Sequence, residues 1–214
     1  MSAVYVDSIK DKSDTKTLAT LSNTSVTLHS DVAIPASVGG VMVFLEKFTA
    51  DNTTSEKIFN LDSFTSYKKY LFSFNDVRPA SDGAHLQIAT GTSSSSFNTT
   101  AGDYRGAFCY GYYNGTSSGT TQDAINDFLY KGVSVGDSIG EGLCGQLFVY
   151  NPTNSALCTS LNGTMTFVND SHNIRGQSCG GVRMAATDDA YIKMYFTSGN
   201  IKTGTIILYG VKDA

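Results

Sequence analysis

Apolar side chains recur at every second position through most of this chain. In SYKKYLFSFN, Tyr70, Phe72 and Phe74 share one face. In AHLQIAT, Leu86 and Ile88 point one way while His85 and Gln87 point the other. YIKMYF sets Ile192, Met194 and Phe196 against Tyr191, Lys193 and Tyr195, and GTIILYGVK sets Ile206 and Leu208 against Ile207, Tyr209 and Val211. A period of two is the mark of a strand with one dry and one wetter side. VMVFLEKFT, RGAFCYGYY, GQLFVY, GTMTFV and GGVRMAA read the same way, which predicts roughly nine or ten strands. Turn residues separate them: Pro79 and Gly83 in RPASDG, and Gly199-Asn200 in FTSGNIKTG, where a hairpin bend calls for positive φ. Many short strands joined by Gly/Ser/Thr loops predict an all-β fold, an antiparallel two-sheet sandwich.

One segment reads as a helix. TTQDAINDFLYKG places Ala124, Ile125, Phe128 and Leu129 at spacings of three and four, with Thr120 or Thr121 as cap and Gly132 as stop. This predicts one short surface helix across an opening of the sandwich. Two loops, 91–103 and 114–122, are rich in Ser, Thr and Gly and flank the aromatic run 104–113. Such loops bury too little to order themselves and are expected to need a packing partner.

Residues 1–40 differ from the rest, with many Thr and Ser and few large apolar side chains. They hold one expected strand pair, 16–21 and 25–29, about a turn at 22–24. A hairpin of this kind is marginal alone, so it is expected to dock on the domain body, on sister chains or on a host assembly. The division expected is a docking or stalk segment over 1–40 and a sandwich over 41–214.

Composition narrows the function classes. Charged residues are 16% of the 214, against about 25% in an ordinary soluble domain; Ser, Thr, Asn and Gly fill the loops instead. The net charge is −4 and no run of Lys or Arg reaches three, which argues against a nucleic-acid partner. No apolar stretch is long enough for a membrane helix, and MSAVYVDSIKDKSD lacks the pattern of a secretory leader. The six Asn-x-Ser/Thr sequons are then expected by chance from the composition.

Catalytic constellations are missing. The cysteines, Cys109, Cys144, Cys158 and Cys179, have no metal-site spacing and are expected as buried thiols, the alternative being one or two disulfides. His29, His85 and His172 read as loop or edge residues without a metal motif. GDSIGEG (136–142) resembles a serine-hydrolase block, but the following helix and late Asp-x-x-His are absent. Glycosidase chemistry needs two carboxylates set about 5–10 Å apart, and the chain has only three Glu. Asp188-Asp189 is a possible pair of hard oxygen ligands, read instead as a solvated turn. No catalytic residue, metal or cofactor is expected.

What remains is a contact surface. Phe97, Tyr104, Arg105, Tyr110, Tyr112, Tyr113 and Asn114 gather aromatic faces with polar tips. Rings stack on sugar C–H faces, and hydroxyls and amides bond sugar hydroxyls. The same residues also suit a sandwich rim or subunit interface.

Three blocks carry a family resemblance. SGNIKTGTIILYGVK, with Ser198, Gly199, Asn200, Ile201, Gly204, Thr205, Leu208, Tyr209, Gly210 and Lys212 after the aromatic Phe196, resembles a C-terminal block of tailed-bacteriophage virion structural proteins. YLFSFNDVRPASDGAHLQIA resembles a strand–Arg-Pro-x-x-Asp-Gly–strand block of the same group, and IKDKSDTKTLATLSNTSVTL resembles the Thr/Ser-rich repeats leading into fibre heads. The resemblance implies a jelly-roll-like sandwich on a phage particle surface, often a homotrimer, bound to other virion proteins through its N-terminal segment. The role implied is a tail fibre, spike or adhesin meeting a host-surface glycan or protein. A capsid decoration protein and a free lectin-like domain are the alternatives. Greek-key wiring would place the apolar last strand inside a sheet.

Overall fold

Side chains that alternate along the chain come to alternate across sheets. The computed structural model describes residues 8–10, 17–21, 26–28, 42–112, 117–125, 128–129 and 134–212. The chain divides into two units, Met1–Gly40 and Val41–Ala214. In the first, β1 (Ser8–Lys10), β2 (Thr17–Leu21) and β3 (Val26–Leu28) pair antiparallel in that order, Ala19 opposite Leu28 and Leu21 opposite Val26.

The second unit holds β4 (Met42–Thr49), β5 (Glu56–Asn60), β6 (Lys69–Pro79), β7 (Leu86–Ser93), β8 (Ser96–Phe97), β9 (Tyr104–Tyr112) and β10 (Ser117–Ile125). β11 (Phe128–Leu129), β12 (Leu143–Tyr150), β13 (Ser160–Val168), β14 (Ile174–Arg183), β15 (Tyr191–Phe196) and β16 (Ile201–Val211) follow. Eight strands form one antiparallel sheet in the order β10-β9-β14-β13-β12-β6-β16-β4. The other sheet runs β11-β7-β15-β5, with β8 added to β7. The fold is thus all-β, two antiparallel sheets in a sandwich.

The dry faces meet between the sheets. Tyr70, Phe72, Phe74, Leu147, Val149, Ile206 and Leu208 come from the larger sheet, and Phe59, Leu86, Ile88, Ile192, Met194 and Phe196 from the smaller, all in one buried cluster. Phe59 and Phe72 meet edge to face across the layers, ring centres 5.1 Å apart, a geometry that adds to their burial. The last strand is enclosed on both sides. β16 pairs with β6 and β4, so Leu208 lies opposite Phe72 on one side and Glu46 on the other. Its one conformational exception is Gly204, at φ 102 in a register shift, where an added Cβ would run into the backbone of Asp76 and Val77.

The expected helix over 120–132 is not formed. Its first half is β10, with Thr120 opposite Phe108 and Thr121 opposite Ala107. Phe128 and Leu129 are β11, in the other sheet, with Phe128 opposite Ile88. The three-and-four spacing marks a change of sheet between Ile125 and Phe128, not a helical face, and the Ser/Thr content of β10 suits a strand. Among the described residues the helical turn is a 3-10 turn, Leu61–Phe64, capped by Asn60, whose Oδ1 accepts from Asp62 N at 3.0 Å. Part of the Ser-rich loop 91–103 is likewise strand: β7 and β8 make a tight hairpin with Ser93 opposite Ser96.

Candidate functional site

The described members of the seven contact residues expected from sequence are divided between the two sheets and between the inner and outer faces. Along β9, Tyr104 and Phe108 point into the core, Arg105 is on the exposed face, and Tyr110 is half-buried on the inward side. Phe97 belongs to the smaller sheet, where Lys193 Nζ lies 4.5 Å from its ring centre. Tyr113, Asn114 and the side chain of Tyr112 lie outside the described residues.

Tyr104 is fully enclosed. Its hydroxyl accepts from Thr90 N at 2.9 Å and donates to Asn98 O at 3.0 Å. Burial pushes that hydroxyl up to about 12. Around it lies a polar knot centred on Asp189, a residue expected from sequence in a solvated turn. Asp189 is 0% exposed, not a solvated turn residue. Asn98 Nδ2 donates to Asp189 Oδ1 at 2.8 Å, and Arg183 Nη2 donates to Asn98 Oδ1 at 2.9 Å. Thr159 and Thr187 donate to the same carboxylate at 3.2 Å each. Asn98 therefore relays between a buried carboxylate and a buried guanidinium, which is how paired charges survive in an interior. This knot ties β7, β13, β14 and β15 together; it is architecture.

The cysteines also depart from expectation. No disulfide joins them; Cys109, Cys144 and Cys158 are exposed and only Cys179 is buried. Cys109 and Cys144 fall on outward positions of their strands.

A different surface has the shape of a site: the outer face of the eight-stranded sheet. Its registers align residues in rows. One row runs Phe44, Tyr209, Leu71, Phe148, Asn162, Gly180 and Ala107. The row on one side runs Met42, Val211, Lys69, Tyr150, Ser160, Val182 and Arg105. On the other side are Ile207, Ser73, Gln146, Thr164, Ser178 and Cys109. Large rings thus occupy the β4-to-β12 half, and small or polar side chains the β13-to-β9 half.

Where the two halves meet there is a groove of about 240 Å³, lined by Gln146, Phe148, Asn162, Gly163, Thr164, Ser178 and Cys179. Phe148 forms its apolar side. Lys69 Nζ lies 4.5 Å from the centre of its ring, and the ring of Tyr150 has its centre 6.3 Å away. Gln146 and Asn162 offer amides, each donor and acceptor, and Thr164 and Ser178 offer hydroxyls. No carboxylate, imidazole or ammonium lines the groove. The groove thus combines one apolar ring with several neutral hydrogen-bonding side chains. All these residues stand on strands, so the site is rigid.

The alternation of Gln146, Phe148 and Tyr150 against Leu147 and Val149 is visible in GQLFVY. The groove was not, because it depends on β13 and β14 lying beside β12. No family model, curated protein or solved structure matches the chain.

Proposed function

We propose that this chain is a non-enzymatic structural protein of a tailed-phage virion surface, and that its sandwich binds a host-surface glycan in the groove beside Phe148. The observation that carries the reading is the groove itself: one ring, two amides and two hydroxyls on adjacent strands, without an acid or base. A hexose presents an apolar face to a ring and its hydroxyls to amides and hydroxyls. The location on a virion rests on the resemblance of the C-terminal and Arg-Pro-Ala-Ser-Asp-Gly blocks to such proteins.

Strand order supports a jelly roll. The sets β4-β16-β6-β12 and β5-β15-β7-β11 follow the wiring of eight strands in two Greek keys. The hairpins β9–β10 and β13–β14 then extend one sheet past β12, and the groove lies where this extension begins. In this reading residues 1–40, with their short antiparallel strands, join the protein to other virion components, and the particle presents it as a homotrimer.

Capsid decoration is the second reading, favoured by the side chains of Met42 and Phe44, 53% and 59% exposed on the edge strand β4. An apolar edge of this kind suits a protein partner. Gold-tagged antibody on intact particles separates the two. Label on tail appendages is the expected result, label over the head would favour decoration, and particles without label would overturn the virion assignment.

A further inference from the structure

We infer that the ligand of the groove is an acidic oligosaccharide, whose carboxylate or phosphate is bound by Lys69. This rests on the glycan reading of the groove and adds the chemical class of the glycan.

The groove is lined by neutral side chains from three adjacent strands, β12, β13 and β14. Its flanks differ from its floor. Beyond β12 lies β6, with Lys69 opposite Tyr150, and beyond β14 lies β9, with Arg105 opposite Val182. Lys69, Tyr150, Ser160, Val182 and Arg105 make one row across the outer face. β6 and β9 are four strand spacings apart, about 19 Å. An oligosaccharide lying across the groove meets a cationic side chain at either flank.

Lys69 is the one placed against the ring of the groove. Its Nζ lies 4.5 Å from the centre of Phe148 and 5.3 Å from that of Tyr150. The residue is half-buried. Among the described residues those two rings are its partners; no carboxylate pairs with it and its ammonium donates no hydrogen bond. Ring faces attract a cation without neutralising it, and all three donors are left for an acceptor. An anionic group on a sugar stacked against Phe148 comes within reach of that ammonium, and charge-assisted hydrogen bonds are the stronger kind.

The acids of this sheet are spent elsewhere. The chain carries a net charge of −4, yet the seven strands running from β4 across to β9 contain two carboxylates, Glu46 and Asp76. Glu46 pairs with Lys57 of the smaller sheet. Asp76 lies near the opposite end of β6 from Lys69, 3.4 Å from Arg78. On the described rows around the groove no carboxylate repels an anion or occupies Lys69. A neutral sugar needs no such arrangement, since the ring, amides and hydroxyls suffice for it.

The test is binding of the full chain to an array of oligosaccharides carrying neutral hexoses, hexuronates, sialic acids or sugar phosphates. The tightest acidic ligand is then titrated beside its neutral counterpart, made by carboxyl reduction or dephosphorylation. Wild type is expected to bind the acidic form tenfold or more tighter, and added salt should erode that preference; the arm that binds identifies the anion. Lys69→Met keeps an unbranched apolar stem against the two rings. It is expected to keep the thermal midpoint, to lose the preference, and to bind the neutral form as wild type does. Lys47→Met, exposed on the same face but three strands from β12, is expected to retain the preference. Phe148→Ala should weaken both forms. Wild type binding the neutral form as tightly as the acidic one, or Lys69→Met retaining the preference, would overturn this inference and leave the groove as a site for neutral glycans. Binding to no glycan, or binding that Phe148→Ala leaves intact, would overturn the groove reading and this inference with it.

Discussion

Replacing Asp189 by Ala removes the acceptor at the centre of the buried knot. Three donors lose it: Asn98 Nδ2, Thr159 Oγ1 and Thr187 Oγ1. The threonine hydroxyls can rotate to other acceptors, and Asn98 keeps Thr90 Oγ1 at 3.1 Å. Arg183 keeps Asn98 Oδ1 and the more distant Asp103, 3.6 Å away. An unsatisfied buried donor costs about 1–3 kcal/mol, and removal of the only carboxylate at the centre leaves the guanidinium less compensated. Relief of the carboxylate's own desolvation offsets part of this. The expected loss is about 3 kcal/mol, which lowers a urea midpoint by about 1–2 M at ordinary m-values. Urea unfolding followed by near-ultraviolet circular dichroism reads it, since Tyr104 is in the knot. Asp189→Asn keeps one acceptor oxygen and should lose about half as much. A cycle with Asn98→Ala should show coupling of about 1–2 kcal/mol, as expected for partners in one network. A loss under about 0.5 kcal/mol for Asp189→Ala would refute the reasoning.

Other consequences follow from the fold and its buried groups. Truncation before Thr205 strips β6 and β4 of their shared partner and removes Ile206 and Leu208, both 0% exposed; the product should be insoluble, and a folded, soluble truncate by gel filtration would contradict the enclosed position of β16. Burial holds the hydroxyls of Tyr70 and Tyr104 near 12, above the unfolded value of about 10. Their contribution is therefore complete below pH about 10 and lost as pH climbs toward about 12, at about 1.4 kcal/mol per pH unit for each tyrosine. Denaturant titrations across that range should show the decline, and Tyr104→Phe should flatten it; an unchanged slope in that variant would contradict the burial argument. Gly204→Ala should destabilise the domain by about 1–3 kcal/mol through its positive φ and the contact with Asp76, read as a lower thermal midpoint.

The strands that were legible are those whose alternation is driven by burial on one face. β6, β15 and β16 carry large side chains at every second position, so the core pattern and the sandwich could be read directly. β10 and β11 were not legible because the end of one strand and the start of another in a different sheet, two residues apart, imitate a helical repeat. β5, EKIFN, escaped because only Phe59 is fully buried in it. Tyr104 illustrates a second limit: an aromatic with a polar tip reads as a surface contact, and only the proximity of Thr90 and Asn98 reveals that its hydroxyl is satisfied inside. Asp189 reads as solvated for the same reason, because its partners come from positions 98, 159 and 187. The groove is discontinuous in sequence: Phe148, Asn162 and Ser178 meet through register.

The proposed binding of a glycan in the groove is tested most directly at Phe148. Binding of purified protein to envelope polysaccharide from candidate host cells should be measured for wild type and Phe148→Ala, with thermal midpoints recorded for both. Phe148 is half-buried on the outer face and forms the apolar side of the groove, so the midpoint should change little while affinity falls tenfold or more. Equal binding by both proteins, or no binding by wild type to any envelope polysaccharide, would contradict it.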